Sequence, residues 1–146
     1  MATILLVDDD PQCVRLIQKI LSKHDHTVIS ATNGLIGLRM AREIKADLVL
    51  LDLNLPDIPG IAMIGRLRTT AKFGSAPVIA FTADTSDKTR RLVVSVGFDG
   101  MITKPIDYYN FPTQVQDFIN KGSRQSQHQH RITPNLGLDQ SSASVL

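Results

Sequence analysis

The chain has a single cysteine, Cys13, so no internal disulfide can staple it, and this usage suits a reducing compartment. Cys13 falls in a helical pattern and reads as a small buried apolar residue rather than a reactive thiol. There is no Lys/Arg run or basic stripe, and the net charge is only +2, so nucleic-acid binding has no electrostatic footprint. No apolar stretch approaches the length needed to span a bilayer. Met1-Ala2-Thr3 leads into a short apolar run with neither a basic segment nor a small-residue cleavage site, which argues against secretion. The expected compartment is therefore the cytoplasm, with no membrane partner. No glycine-rich phosphate loop follows the first apolar run, which disfavours a nucleotide-binding domain of the dinucleotide type.

What is present fits one soluble globular domain: 146 residues, 42% hydrophobic and 21% charged. Apolar runs of strand length recur at Thr3–Val7, Thr27–Ala31, Asp47–Leu51, Pro77–Thr82 and Gly100–Thr103. The first, third and fourth are nearly continuous in Ile, Leu, Val and Ala, as in strands covered on both faces. Helical patterns lie between them. Asp10-Pro11 starts one that carries Val14, Ile17 and Leu21, and Leu38, Ala41 and Ile44 mark the second. Ile61, Ile64 and Leu67 follow the Pro59-Gly60 turn, and Leu92, Val93 and Val96 precede a stop at Gly97. Phe111, Val115 and Phe118 form the last, with Pro112 in its first turn and an end before Gly122. Five βα units imply a parallel sheet in a three-layer α/β sandwich. From Ser123 to Leu146 the composition turns to Ser, Gln, His and Asn without an apolar period, which reads as a flexible tail. His128 and His130 there, and His24 and His26 at the first αβ turn, read as solvated surface histidines.

The polar residues fall on one rim. The first run exits into Asp8-Asp9-Asp10, the third into Asp52, the fourth into Thr82 and the fifth into Lys104-Pro105. In an open parallel sheet, ligands bind outside these carboxyl ends. Asp10 reads as a helix cap. Asp8, Asp9 and Asp52 would crowd three carboxylates, a repulsion that a divalent cation relieves, and hard oxygen donors suit Mg²⁺. Lys104 adds a compact positive charge and Thr82 a hydroxyl. Together these describe a site for phosphoryl transfer, in which a carboxylate can be the acceptor. Asp52 is the natural candidate, as the lone acid at the end of a central strand.

The motifs Ile4-Leu5-Leu6-Val7-Asp8-Asp9-Asp10, Leu51-Asp52-Leu53-Asn54-Leu55-Pro56, Phe81-Thr82-Ala83 and Ile102-Thr103-Lys104-Pro105 resemble those of response-regulator receiver domains of two-component systems. The resemblance spans Ala2 to Lys121. It implies a flavodoxin-like (βα)₅ fold with strand order 2-1-3-4-5, in a receiver domain over residues 1–122 followed by the tail 123–146. It also implies Asp52 as phosphoacceptor and Mg²⁺ held by Asp9, Asp52 and the Asn54 carbonyl, with Asp8 assisting through water. Thr82, the Ala83 amide and Lys104 would attend the phosphoryl group. The Lys104–Pro105 bond is expected cis.

One residue departs from the family pattern. Met101 occupies the place, three before the lysine, where the family usually carries Tyr or Phe, so the usual threonine–aromatic coupling lacks its ring.

The expected partners are a histidine kinase or histidine phosphotransfer protein as donor and a downstream protein target, with output through altered protein–protein interaction or onward phosphorelay. The chain would act as a monomer or a phosphorylation-dependent dimer, with no nucleic acid bound. It would be a signalling protein and not an enzyme, with the loop after Thr82 and the helix carrying Arg90 and Arg91 shifting on phosphorylation. Tyr108 and Tyr109 are candidate partner contacts, whereas Phe111 reads as core. Two rivals are a receiver-like module that works without phosphorylation and an aspartate-nucleophile phosphohydrolase. The latter wants a second acid where Asn54 stands.

Overall fold

The structure, a computed structural model, describes residues 1–70 and 76–122. Five strands, β1 (Thr3–Val7), β2 (Thr27–Ala31), β3 (Leu48–Asp52), β4 (Val78–Thr82) and β5 (Gly100–Thr103), form one sheet in the order β2-β1-β3-β4-β5. All four pairings are parallel. Between them run α1 (Pro11–Ser22), α2 (Gly34–Glu43), α3 (Gly60–Arg68) and α4 (Asp87–Val96), and α5 occupies residues 111–122.

Alternation along the strands sorts the core into two layers. Leu5, Val7, Val49, Leu51, Val78 and Ala80 face α2, α3 and α4, where Leu38, Ala41, Met63, Ile64, Leu67 and Val93 complete a cluster. Ile4, Leu6, Leu48, Leu50, Ile79 and Phe81 face the other way, onto Ile17, Ile20 and Leu21 of α1 and Phe111 and Val115 of α5. β3 and β4 are buried at every residue, which accounts for their unbroken apolar character.

The helix ends follow from local chemistry. Pro11 opens α1, where the Gln12 amide donates to the Asp10 carboxylate at 3.0 Å. Asn33 and Ser86 cap α2 and α4 in the same way, and Gly97 closes α4 with φ at 107°. Asp107 caps the approach to α5, accepting from the Tyr109 amide at 3.0 Å.

Several expectations need adjustment. β3 runs from Leu48 to Asp52 rather than from Asp47, because the ladder continues through the pair Asp52 and Phe81. β4 starts at Val78, one residue after Pro77, which has no amide to give. Ile44 is the C-cap of α2, in extended conformation, and not its last turn. Leu92 is largely exposed, and Val93 is the residue of α4 that reaches the core. Cys13 is half-buried, not buried, and packs against the α1/α5 side.

His26 is buried to 7% exposure and is not a surface residue like His24. The chain turns back there, with the His26 amide donating to the Leu21 carbonyl at 3.1 Å, and this draws the ring inside. Phe111 is core, whereas Tyr108 and Tyr109 are exposed and meet edge to face. The segment 123–146, with His128 and His130, lies outside the described residues. Among the described residues, no helix is long and apolar enough to cross a membrane.

Candidate functional site

β1 is flanked by β2 on one side and β3 on the other, so the chain leaves it in opposite directions and opens a crevice above the ends of β1 and β3. Asp8 and Asp9 follow β1, and Asp52 ends β3. Carboxylate oxygens of Asp8, Asp9 and Asp52 all lie within 4.8 Å of one another. Asp8 and Asp52 are buried, at 0% and 4% exposure, while Asp9 faces solvent. The site is thus a deep acidic floor with one accessible acid at its lip.

Lys104 answers that charge. Its Nζ lies 3.0 Å from Asp8 Oδ2 and 3.3 Å from Asp52 Oδ2. The ammonium also sits 4.8 Å above the centre of the Phe81 ring. Desolvation would lower its pKa, but contact with Asp8, joined by the charge of Asp52, outweighs this and holds it above the usual lysine value. Lys104 reaches the site because its amide donates to the Thr82 carbonyl at 2.8 Å, prolonging the β4–β5 ladder past Thr103. The Lys104–Pro105 bond is cis.

Each acid is oriented by the backbone. The Asp10 amide donates to Asp8 Oδ1 at 2.9 Å, and the Asn54 amide donates to Asp52 Oδ1 at 2.9 Å. Asp8 Oδ2 is buried without an aligned hydrogen bond, and its charged neighbour is the Lys104 ammonium at 3.0 Å. A buried carboxylate oxygen left in that state, among acids converging on one point, is a donor set that fits a hard divalent cation.

Thr82 is buried, at 1% exposure, at the end of β4, and its Oγ1 accepts from the Asp84 amide at 3.1 Å. Ala83 and Asn54 are exposed at the rim. The sheet therefore brings Asp8, Asp9, Asp52, Thr82 and Lys104 to one edge, with Asn54 and Ala83 on the adjoining loops.

Cys13, in the first turn of α1, is held as a neutral thiol. Burial, then the negative charge of Asp8, push its pKa up to about 12.

Two acids escaped the reading of the sequence. Asp84 accepts from the Thr89 hydroxyl at 2.6 Å and the Ser86 amide at 2.9 Å, bonds that hold its pKa below the usual value and brace the β4–α4 loop. The local run Asp84-Thr85-Ser86 ahead of a helix was a signal for it. Asp57 receives the Gly34 and Leu35 amides from 23 and 22 residues away, which no local pattern foretells.

Comparison with known proteins decides the family. The response regulator receiver domain model matches residues 4–116. The chain belongs to that family. Among curated relatives of this receiver domain, the transcriptional regulatory protein KdpE of Mycobacterium tuberculosis is 36% identical over 125 residues, covering 84% of this chain and 53% of KdpE. The chain thus spans about half the length of that relative. Protein PilH of Pseudomonas aeruginosa is 35% identical over 107 residues, covering 73% of this chain and 88% of PilH.

Among solved structures, the chemotaxis protein CheY4 of Vibrio cholerae superposes with a TM-score of 0.76 at 24% identity, covering 81% of this chain and 98% of CheY4. The receiver domain of a Pseudomonas aeruginosa sensor histidine kinase, solved with magnesium in its active-site cleft, gives 0.74 at 25% identity over 82% of this chain and 98% of that one. The fold is the flavodoxin-like receiver fold, and this receiver domain is a module of two-component signalling.

Proposed function

We propose that the chain is a single-domain response regulator that accepts a phosphoryl group on Asp52 in a Mg²⁺-dependent reaction. The observation that carries this reading is Asp52 itself, buried at the end of β3 with Lys104 at 3.3 Å and the Asp8 and Asp9 carboxylates beside it. Residues 1–122 would be the receiver domain and 123–146 a tail. PilH, matched over 88% of its own length, supports a regulator of this size.

Asp9, Asp52 and the Asn54 carbonyl would hold Mg²⁺, with Asp8 acting through water. The cation supplies charge neutralisation for the incoming phosphoryl oxygens. The chain's own groups do the rest. An Asp52 oxygen attacks phosphorus as the P–N bond of a donor phosphohistidine breaks; a P–O bond forms and the leaving imidazole takes up a proton. Lys104 balances negative charge on the phosphoryl group, and in shifting toward it loosens its hold on Asp8. The Thr82 hydroxyl and the Ala83 amide donate to the remaining oxygens, which requires Thr82 to turn from the Asp84 amide. Output would pass to a downstream protein in the cytoplasm, and the exposed pair Tyr108 and Tyr109 ahead of α5 suits such a contact.

The test is intact-mass spectrometry of the native chain and its Asp52→Asn variant after incubation with acetyl phosphate, with and without Mg²⁺. One phosphoryl adduct, only on the native chain and only with Mg²⁺, is expected. An adduct that survives in the variant moves the acceptor elsewhere. If the native chain takes no adduct from acetyl phosphate or from a phosphorylated histidine phosphotransfer protein, the reading fails.

A further inference from the structure

Resting on the reading of Asp52 as a Mg²⁺-dependent phosphoacceptor, we propose that Asp57 is a positioning residue for that chemistry: its carboxylate docks the β3–α3 loop on the N-terminus of α2 and so holds Asn54 at the metal site.

The loop from Leu53 to Pro59 leaves the phosphoacceptor and returns to the same place, because the Gly60 amide donates to the Leu53 carbonyl at 3.0 Å. Its near end is tied by the Asn54 amide on Asp52 Oδ1. Leu55 and Ile58 pack partly buried against the core, which gives the loop grease but little direction. Among the described residues, Asp57 supplies the hydrogen bonds that join residues 54–59 to α2, an element other than the two the loop connects. Its Oδ1 accepts from the Gly34 amide at 2.8 Å and its Oδ2 from the Leu35 amide at 2.9 Å. Oδ1 also accepts from the Ile58 amide at 2.9 Å, which fixes the carboxylate against its own backbone.

These contacts are not an ordinary helix cap. α2 already has one, since Asn33 Oδ1 accepts from the Ile36 amide at 2.9 Å. Asp57 takes the two remaining forward-facing amides from across the crevice, at the positive end of the helix dipole. The Gly34 amide, with those of Leu35 and Ile58, holds the carboxyl below the usual aspartate range, so it stays ionised at neutral pH.

Two glycines make the seat possible. A Cβ at Gly34 would fall 3.2 Å from Asp57 Oδ1, 3.0 Å from Met63 Sδ and 3.1 Å from Ile58 Cβ. At Gly60 a Cβ would fall 2.5 Å from the Asp52 carbonyl oxygen. The loop is thereby pressed between α2 and the end of β3, with the Asn54 carbonyl as its contribution to the site. Freed from α2, the loop would sample orientations in which that carbonyl turns away.

The experiment compares the full chain with Asp57→Ala, Asp57→Asn and Asn33→Ala by three readouts. These are Mg²⁺ affinity by titration calorimetry, the rate of phosphoryl uptake from acetyl phosphate by intact mass, and the thermal midpoint. Asn33→Ala weakens the same helix end without touching the loop. Asp57→Ala should weaken Mg²⁺ binding about tenfold, the low end of the range for groups that orient a metal ligand. Uptake should slow at subsaturating Mg²⁺ and recover at saturation. Asp57→Asn, which keeps one acceptor but turns an NH₂ toward an amide, should fall between, and it carries the comparison if the alanine variant does not fold. Asn33→Ala should lower the thermal midpoint with Mg²⁺ affinity unchanged. If the Asp57 variants lose only thermal stability, as Asn33→Ala does, the docking role is wrong and Asp57 is a second cap. A native chain that binds no Mg²⁺ and takes no phosphoryl group overturns the phosphoacceptor reading, and the docking role with it.

Discussion

Lys104 stands closer to Asp8 than to Asp52, its Nζ lying 3.0 Å from the first carboxylate and 3.3 Å from the second. Asp8 is fully buried and Asp52 nearly so, and Lys104 is the cation in ion-pair range of both. The lysine therefore has two employments: it compensates buried acids at rest and is available to a phosphoryl group.

Removing that cation tests the first of these. Lys104→Met keeps the length of the stem and deletes the charge, leaving Asp8 and Asp52 facing each other. Breaking a buried ion pair costs several kcal/mol, and partial solvent access at the lysine places this case near about 3 kcal/mol. The loss should be full in EDTA and smaller in millimolar Mg²⁺, because a bound cation replaces part of the missing charge. Urea unfolding under both conditions measures it. Equal losses would mean that no cation enters the acidic cluster.

Asp9 is the complementary case, since it belongs to the same cluster but faces solvent. Asp9→Asn should change stability in EDTA by less than about 0.5 kcal/mol, as surface substitutions do. The same change should cost about tenfold or more in Mg²⁺ affinity. Calorimetric titration separates the two, and an affinity equal to that of the native chain would remove Asp9 from the ligand set.

Gly60 and Gly65 lie in one helix, α3, yet the surroundings of their absent side chains differ completely. A Cβ at Gly60 would come within 2.6 Å of Leu53 Cα and closer still to the Asp52 carbonyl, backbone atoms that cannot yield without moving the phosphoacceptor. Gly60→Ala should cost about 2–3 kcal/mol, the range for overpacking, and slow phosphoryl uptake. A Cβ at Gly65 would meet nothing within 4 Å, so Gly65→Ala should stabilise by about 0.5–1 kcal/mol through helix propensity. Chemical denaturation of the two variants side by side checks both signs.

The parts of the fold that were legible are those where local chemistry and global position agree. β1 and β5 were read residue for residue because Asp8 and the Lys104-Pro105 pair mark their exits. β3 was read one residue out of place, because a charged residue looked like the start of a loop. Asp52 stays in the strand since its backbone pairs with β4 and its carboxylate is met by Lys104, a partner 52 positions away. The acidic cluster was visible for the same reason that it is costly: three acids at strand ends have few structural uses. Asp57 was invisible because its partners are amides, which every residue carries. His26 was misread because its neighbours His24 and Asp25 are exposed, while what covers it comes from distant parts of the chain.

That misread histidine gives the pH dependence. His26 is buried, its Nδ1 has no hydrogen-bond partner, and burial followed by the nearby N-terminal amine and His24 lowers its pKa below 6.5. Gln116 of α5 and the charge of Asp25 act in the other direction without reversing it. Above pH 6.5 the ring is neutral in both folded and unfolded chains, so it adds no pH dependence there. As pH falls below 6.5 the unfolded chain binds the proton first, and stability declines until the folded ring also protonates. Asp57 and Asp84, whose pKa values are lowered, lose their contributions only at more acid pH, below about 4, so the two effects separate. Urea unfolding at about pH 7.5, 6.5 and 5.5 should show native stability falling across the last interval. In His26→Gln that decline should be largely absent, whatever the variant's stability at pH 7.5. A decline of the same size in the variant would place its source in another group and leave His26 a neutral core residue throughout.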